Sequence, residues 1–191
     1  TRRIIALKDK SGSRKKVIIK KKSGSVRYNE PDDENMKKVF QGAELSAVPV
    51  ESVLVMYTDG VSLGNPGPAG IGIVILDKED RQVGKVSCPI GTATEAFAEY
   101  AAVIRAINIA QYFNTRSLKI RTDAELMVRQ LAGEVEITNQ RLKKMAVEFE
   151  SLKKKIPSVR MELIMRPHND KADFLARQAA SADNTKPKRD G

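Results

Sequence analysis

From residue 52 onward, short apolar runs and polar turns alternate along the chain in the pattern of an α/β sheet. The run Ser52-Val53-Leu54-Val55-Met56-Tyr57-Thr58-Asp59 predicts a buried strand over 52 to 59. It opens into Gly60, Gly64, Asn65, Pro66, Gly67 and Pro68, residues that mark a turn. Ala69 to Leu76 and Gln82 to Cys88 predict two more strands, joined by the polar Asp77-Lys78-Glu79-Asp80 into an antiparallel meander. Residues 94 to 113 are apolar almost all round at helical spacing, which predicts a helix packed deep against the sheet. Leu118 to Asp123 predicts a fourth strand. A helix between two strands implies a right-handed crossover and parallel neighbours, so Asp59 and Asp123 should stand side by side at strand carboxyl ends. The pattern closes with a short helix over 124 to 132 and a longer one over about 138 to 155, carrying Leu142, Met145, Phe149 and Leu152. A fifth strand over 159 to 165 and a last helix through about 181, capped by Asn169 or Asp170, follow.

Upstream, residues 1 to 28 hold two β-branched runs, Arg3 to Leu7 and Lys15 to Lys20, punctuated by Ser11-Gly12-Ser13 and Ser23-Gly24-Ser25. They predict a small hairpin or three-stranded ribbon. Residues 29 to 50 read as a linker with a short helix, begun by Asp32 or Asp33 and ending at Phe40, and 183 to 191 as a disordered tail. Charge changes the picture only here. Of 34 Lys and Arg, eleven lie in residues 1 to 28 beside one acid, Asp9, and the remainder is balanced at 23 of each sign. A basic block of this kind suits phosphate contacts with nucleic acid; the bland alternative is a solubilising tail.

With 41% hydrophobic residues and no apolar run of eighteen, the composition points away from a membrane protein. The single cysteine, Cys88, excludes an internal disulfide, suits a reducing, cytoplasmic setting and reads as core filler. Nothing in the sequence calls for more than a monomer.

Four carboxylates stand out by context: Asp59 and Asp123 at strand ends, Glu99 inside the apolar run Phe97 to Ile104, and Asp173 one turn into the last helix. Singly, each has an ordinary reading as a turn former or a helix-dipole partner. Together at one sheet edge they would repel unless hard cations sat among them, and Mg²⁺ or Mn²⁺ suit an all-oxygen site. Two such ions can activate a water and stabilise the leaving oxygen of a phosphodiester.

The order Tyr57-Thr58-Asp59-Gly60, Gly64-Asn65-Pro66-Gly67-Pro68, Thr94, Ala98-Glu99-Tyr100, Thr122-Asp123, Asn169, Ala172-Asp173 and Leu175-Ala176 resembles the type 1 ribonuclease H family over about 52 to 181. It resembles the short form, without a basic protrusion. The resemblance implies a ribonuclease H-like α/β fold: a five-stranded mixed sheet with helices on both faces, here with a basic N-terminal β extension. It implies hydrolysis of the RNA strand of RNA–DNA hybrids by two Mg²⁺ or Mn²⁺ ions, giving 3′-hydroxyl and 5′-phosphate ends. Asp59 would bridge both ions, Glu99 and Asp123 would hold the leaving-group ion, and Asp173 would help hold the ion that activates water. Gly60, Asn65, Thr94, Glu95 and Asn169 match substrate-side positions, and His168 is a possible accessory residue whose spacing from Asp173 favours a purely structural place.

Glu95 and Ala96 stand where many relatives carry two asparagines that contact 2′-hydroxyls and bases. An ionised Glu95 donates no hydrogen bond and repels phosphate, which weakens hybrid discrimination. An alternative reading is therefore a nucleic-acid-binding module with weak or lost cleavage, and a third is a nuclease of the same fold acting on DNA or structured RNA.

Overall fold

A computed structural model describes residues 3–8, 14–22, 25–27, 34–46 and 53–183. The expected cap residues Asp32 and Asp33, and the tail from 184 to 191, lie outside these. β1 (Arg3–Lys8), β2 (Arg14–Lys22) and β3 (Ser25–Arg27) form a three-stranded antiparallel sheet, the ribbon that the runs and Ser-Gly-Ser breaks predict. α1 (Glu34–Phe40) and β4 (Ala43–Leu45) follow.

The second sheet has six strands in the order β4, β7 (Gln82–Ala93), β6 (Gly67–Leu76), β5 (Val53–Ser62), β8 (Ser117–Thr122), β9 (Ser158–Leu163). Five strands were expected; the sixth is β4, drawn from the stretch read as linker and antiparallel to β7 through Ala43↔Val86 and Leu45↔Gly84. Three residues are too few for an alternating pattern to show. Residues 34 to 46 are bound to the main body by more than this strand. Phe40 is buried with its ring 4.8 Å from that of Tyr112, and Arg105 Nη1 donates to the Val39 carbonyl at 3.1 Å.

β5, β6 and β7 form the antiparallel meander, while β8 joins β5, and β9 joins β8, in parallel. The crossover between β5 and β8 carries α2 (Glu95–Tyr112), whose N-cap Thr94 accepts from the Phe97 N–H. α2 buries Ala102, Val103, Ala106, Ile107, Ile109 and Ala110 in one core with Leu54, Met56, Ile71, Ile73 and Ile120, and Ala98 in a smaller cluster with Ala69 and Ala93. α3 (Glu125–Leu131) and α4 (Gln140–Lys153) follow β8, and Phe149 and Leu152 of α4 join the same core. A 3-10 turn (Arg166–His168) leads into α5 (Asp170–Asp183), which packs on the opposite face of the sheet from α2.

Glycine sets how near both helices come. A Cβ on Gly60 of β5 would stand 2.1 Å from the Ala98 carbonyl carbon and 2.2 Å from the Glu99 nitrogen. A Cβ on Gly72 of β6 would stand 2.0 Å from the Ala172 oxygen. Neither distance is possible between real atoms, so the bare backbone of the sheet is what admits α2 on one face and α5 on the other.

Candidate active site

The two close helix approaches carry acids to the same end of the sheet. β5 and β8 pair in parallel as far as Tyr57↔Arg121, and Asp59 and Asp123 each stand two residues further on, as the repeated Thr-Asp predicts. Asp59 does not end its strand, however. Antiparallel pairing with β6 continues through Asp59↔Gly72 to Ser62↔Ala69, so Asp59 lies mid-strand where only the parallel half has stopped. It shares a sheet face with Gly72, the face covered by α5. Glu99 comes from α2, whose backbone rests on Gly60, and Asp173 comes from the first turn of α5.

Asp59 is 9% exposed; Glu99, Asp123 and Asp173 are half-buried. Burial pushes the Asp59 carboxyl up to about 8, helped by the charges of Asp123, Asp173 and Glu99 and opposed by a hydrogen bond from the Gly60 N–H. Burial likewise pushes Glu99 up to about 7, with Glu95 and Asp123 adding to the effect. These are the marks of carboxylates held together without enough positive charge between them. Asn169 braces the group. Its Nδ2 donates to the Thr58 carbonyl at 3.0 Å and to Asp123 Oδ1 at 2.6 Å, tying β5 and the loop after β8 to the start of α5.

The chain matches the Reverse transcriptase-like family over residues 57–179, which takes in all four acids. It is 33% identical over 123 residues to the ribonuclease HI of Halobacterium salinarum, covering 64% of this chain and 62% of that protein. The chain belongs to the type 1 ribonuclease H family. A bifunctional protein of Mycobacterium tuberculosis is 32% identical over 130 residues, of which this chain spans only 36%. Among solved structures, LC11 ribonuclease H1 in complex with an RNA/DNA hybrid is 34% identical with a TM-score of 0.66, over 69% of this chain and 99% of that one.

Ribonuclease H membership implies divalent ions, and the donor set suits them: four carboxylates, all oxygen, one of them pushed up to about 8 by burial and then by the charges of the other three. Two of the acids have partners within the protein: Asn169 donates to Asp123 Oδ1, and Arg177 donates to both oxygens of Asp173. Among the described residues, no three acids, histidines or cysteines form a group that could hold an ion as they stand.

The remaining predicted residues divide. Asn65, Thr94 and Glu95 come together at the start of α2, all exposed, with Asn65 Oδ1 accepting from the Glu95 N–H at 3.2 Å. Gly60 is buried beneath α2, where its missing side chain is what matters. Asn169, expected on the substrate side, is 1% exposed, and its amide donates to Asp123 Oδ1. His168 is exposed in the 3-10 turn, its N–H bonded to the Met165 carbonyl at 2.8 Å, and the structure gives it no part in the acid cluster.

A cavity of about 320 Å³ beside Thr94 was not foreseen from sequence. Pro66, Phe97, Asn139 and Arg141 are among its lining, with the Arg141 guanidinium 4.4 Å from the Phe97 ring centre. Asn139 is the N-cap of α4, accepting from the N–H groups of Arg141 and Leu142. The available signal was an arginine in the first turn of a helix, where the backbone dipole disfavours a cation.

Proposed function

We propose that this chain is a metal-dependent endoribonuclease that hydrolyses the RNA strand of RNA–DNA hybrids with two Mg²⁺ or Mn²⁺ ions, leaving 3′-hydroxyl and 5′-phosphate ends. The observation that carries the reading is the convergence of Asp59, Glu99, Asp123 and Asp173 from four separate elements, with Asp59 made to hold its proton by burial and by the other three. The hybrid bound to LC11 ribonuclease H1 supports the choice of substrate.

Asp59, Glu99, Asp123 and Asp173 would hold the ions. Bound there, the ions would supply an activated water and charge stabilisation for the leaving oxygen. The protein's own part is positioning. Antiparallel pairing with β6 fixes Asp59, the Asn169 amide fixes Asp123, and Gly60 lets α2 bring Glu99 close. Thr94, Asn65 and the Arg141 cavity meet at the start of α2, where a hydroxyl, an amide and a guanidinium would suit a sugar–phosphate backbone.

The test is cleavage of an end-labelled hybrid with Mg²⁺ and then Mn²⁺, beside Asp59→Asn. RNA-strand cleavage should fall by at least about a thousandfold in the variant. Glu95 favours a second reading, a hybrid-binding module, because its charge adds to that on Glu99 instead of offering a donor to the duplex. Retained hybrid binding with no product at any ion concentration would select that module.

The basic ribbon has a part in this reading as well. Residues 1 to 28 carry eleven Lys and Arg against one acid. Such a block of positive charge suits phosphodiester backbone. Removing residues 1 to 28 should flatten the dependence of log affinity on log salt by about 0.9 for each phosphate that the ribbon neutralises; an unchanged slope would sink this role.

A further inference from the structure

α5 places Asp173 and Arg177 one turn apart, and their side chains form a two-pronged pair. Arg177 Nε donates to Asp173 Oδ2 at 2.7 Å and Nη2 donates to Oδ1 at 3.0 Å. Arg166 Nη2 stands 3.6 Å from the same Oδ1. On an ordinary helix surface such a pair adds little to stability. Two observations set this one apart. The charge of Arg177 is felt by Asp59 and Glu95 as well as by Asp173, so the guanidinium lies at the acid cluster. Its side chain is also 47% exposed, which leaves a path for it to swing out.

We infer that Arg177 is a resident counter-cation: it occupies the Asp173 oxygens until a divalent ion displaces it, so ion uptake at this end of the site is an exchange of one cation for another. The inference rests on the reading of Asp173 as an ion-holding residue. A planar fork using both carboxylate oxygens leaves a hard cation only the remaining lone pairs, at a distance where the two positive charges repel. Arg177 is therefore a positioning residue that sets the affinity of the site for its ions. It also relieves the repulsion among the acids while they wait, and Glu95, already within its electrostatic reach, gives it another carboxylate to face once released.

The test is Mn²⁺ and Mg²⁺ binding to the full chain by calorimetry, without nucleic acid, for the wild type, Arg177→Ala, Arg177→Lys, Arg166→Ala and Asp173→Asn. Arg177→Ala should bind ions more tightly, by about threefold to tenfold, and melt at a lower temperature in chelator. Arg177→Lys should fall between it and the wild type, because an ammonium meets the carboxylate at one point where the guanidinium meets it at two. Arg166→Ala should gain less than Arg177→Ala. Equal gains from the two arginines would mean a diffuse field and not an exchange at Asp173, and would overturn the inference. Unchanged or weaker binding in Arg177→Ala, with Asp173→Asn clearly weakened, would overturn it too and leave the role of Asp173 intact. Unchanged binding in Asp173→Asn would remove the role of Asp173, and the inference with it.

Discussion

Asp59 stands in the middle of a ten-residue strand, paired with β6 on one side where the pairing with β8 has stopped, and with three other carboxylates in electrostatic reach. Asp173, in the first turn of a helix, is half-buried and carries an arginine on both its oxygens. The strand leaves its acid little freedom and only the Gly60 N–H as compensation; the helix gives its acid more of both. The central acid is thus pre-placed at a cost in stability, as functional groups often are, and the peripheral acid is kept adjustable. Asn169 joins the two halves, because it begins the approach to α5 and holds the Thr58 carbonyl and Asp123 with one amide.

The sharpest break of that contrast is Gly60→Ala. The new methyl would fall 2.1 Å from the Ala98 carbonyl carbon, so α2 must retreat and take Glu99 with it. Urea unfolding should show a loss of about 3 kcal/mol, and ion affinity should fall. A variant as stable as the wild type would mean that the strand half is not rigid. Next comes Asn169→Ala, which cuts the brace and should cost about 2 kcal/mol by leaving a buried carbonyl and carboxylate without their donor. If the Asn169 variant lost ion affinity but kept its stability, the amide would serve the site alone.

The smallest effect has the opposite sign. Asp59→Asn should raise stability in chelator at neutral pH by about 1 kcal/mol, since the amide folds without the proton uptake that the Asp59 carboxyl requires there. The pH dependence follows. The ordinary value for Asp59 is 3.8 and the folded value about 8, so the folded state binds the proton more tightly than the unfolded one. This contribution to stability is fully present below about pH 4 and is lost as pH rises through about 8; Glu99, at about 7, acts in the same direction. The stability difference between Asp59→Asn and wild type should therefore widen with pH across that window and close when Mg²⁺ is added. A difference that stays flat with pH would show Asp59 to be adequately compensated after all.

Much of this was legible in the chain itself. Glu99 was visible because a glutamate amid eight largely apolar residues needs a reason, and Asp59 and Asp123 because Thr-Asp closes two runs joined by a helical crossover. The strand count, the continuation of β5 past Asp59 and the place of Asn169 were not. Each depends on a partner distant in sequence: β7 for β4, the far half of β6 for β5, and Asp123, 46 residues away, for the amide. The fork on Asp173 had a local signature in the i, i+4 spacing of Asp173 and Arg177, yet that spacing alone does not distinguish a surface pair from one facing a cluster of acids.

The short strand β4 bears on where this protein can be cut. The family match begins at residue 57, and a chain trimmed to that boundary would look complete by resemblance. It would lack Phe40, which fills a slot against Tyr112 and Phe113, and the three residues that pair with Gly84 to Val86. β7 would lose its cover from Val83 to Ser87, leaving amides and carbonyls there open to pairing with another chain. Residues 34 to 46 thus close part of an otherwise open sheet edge.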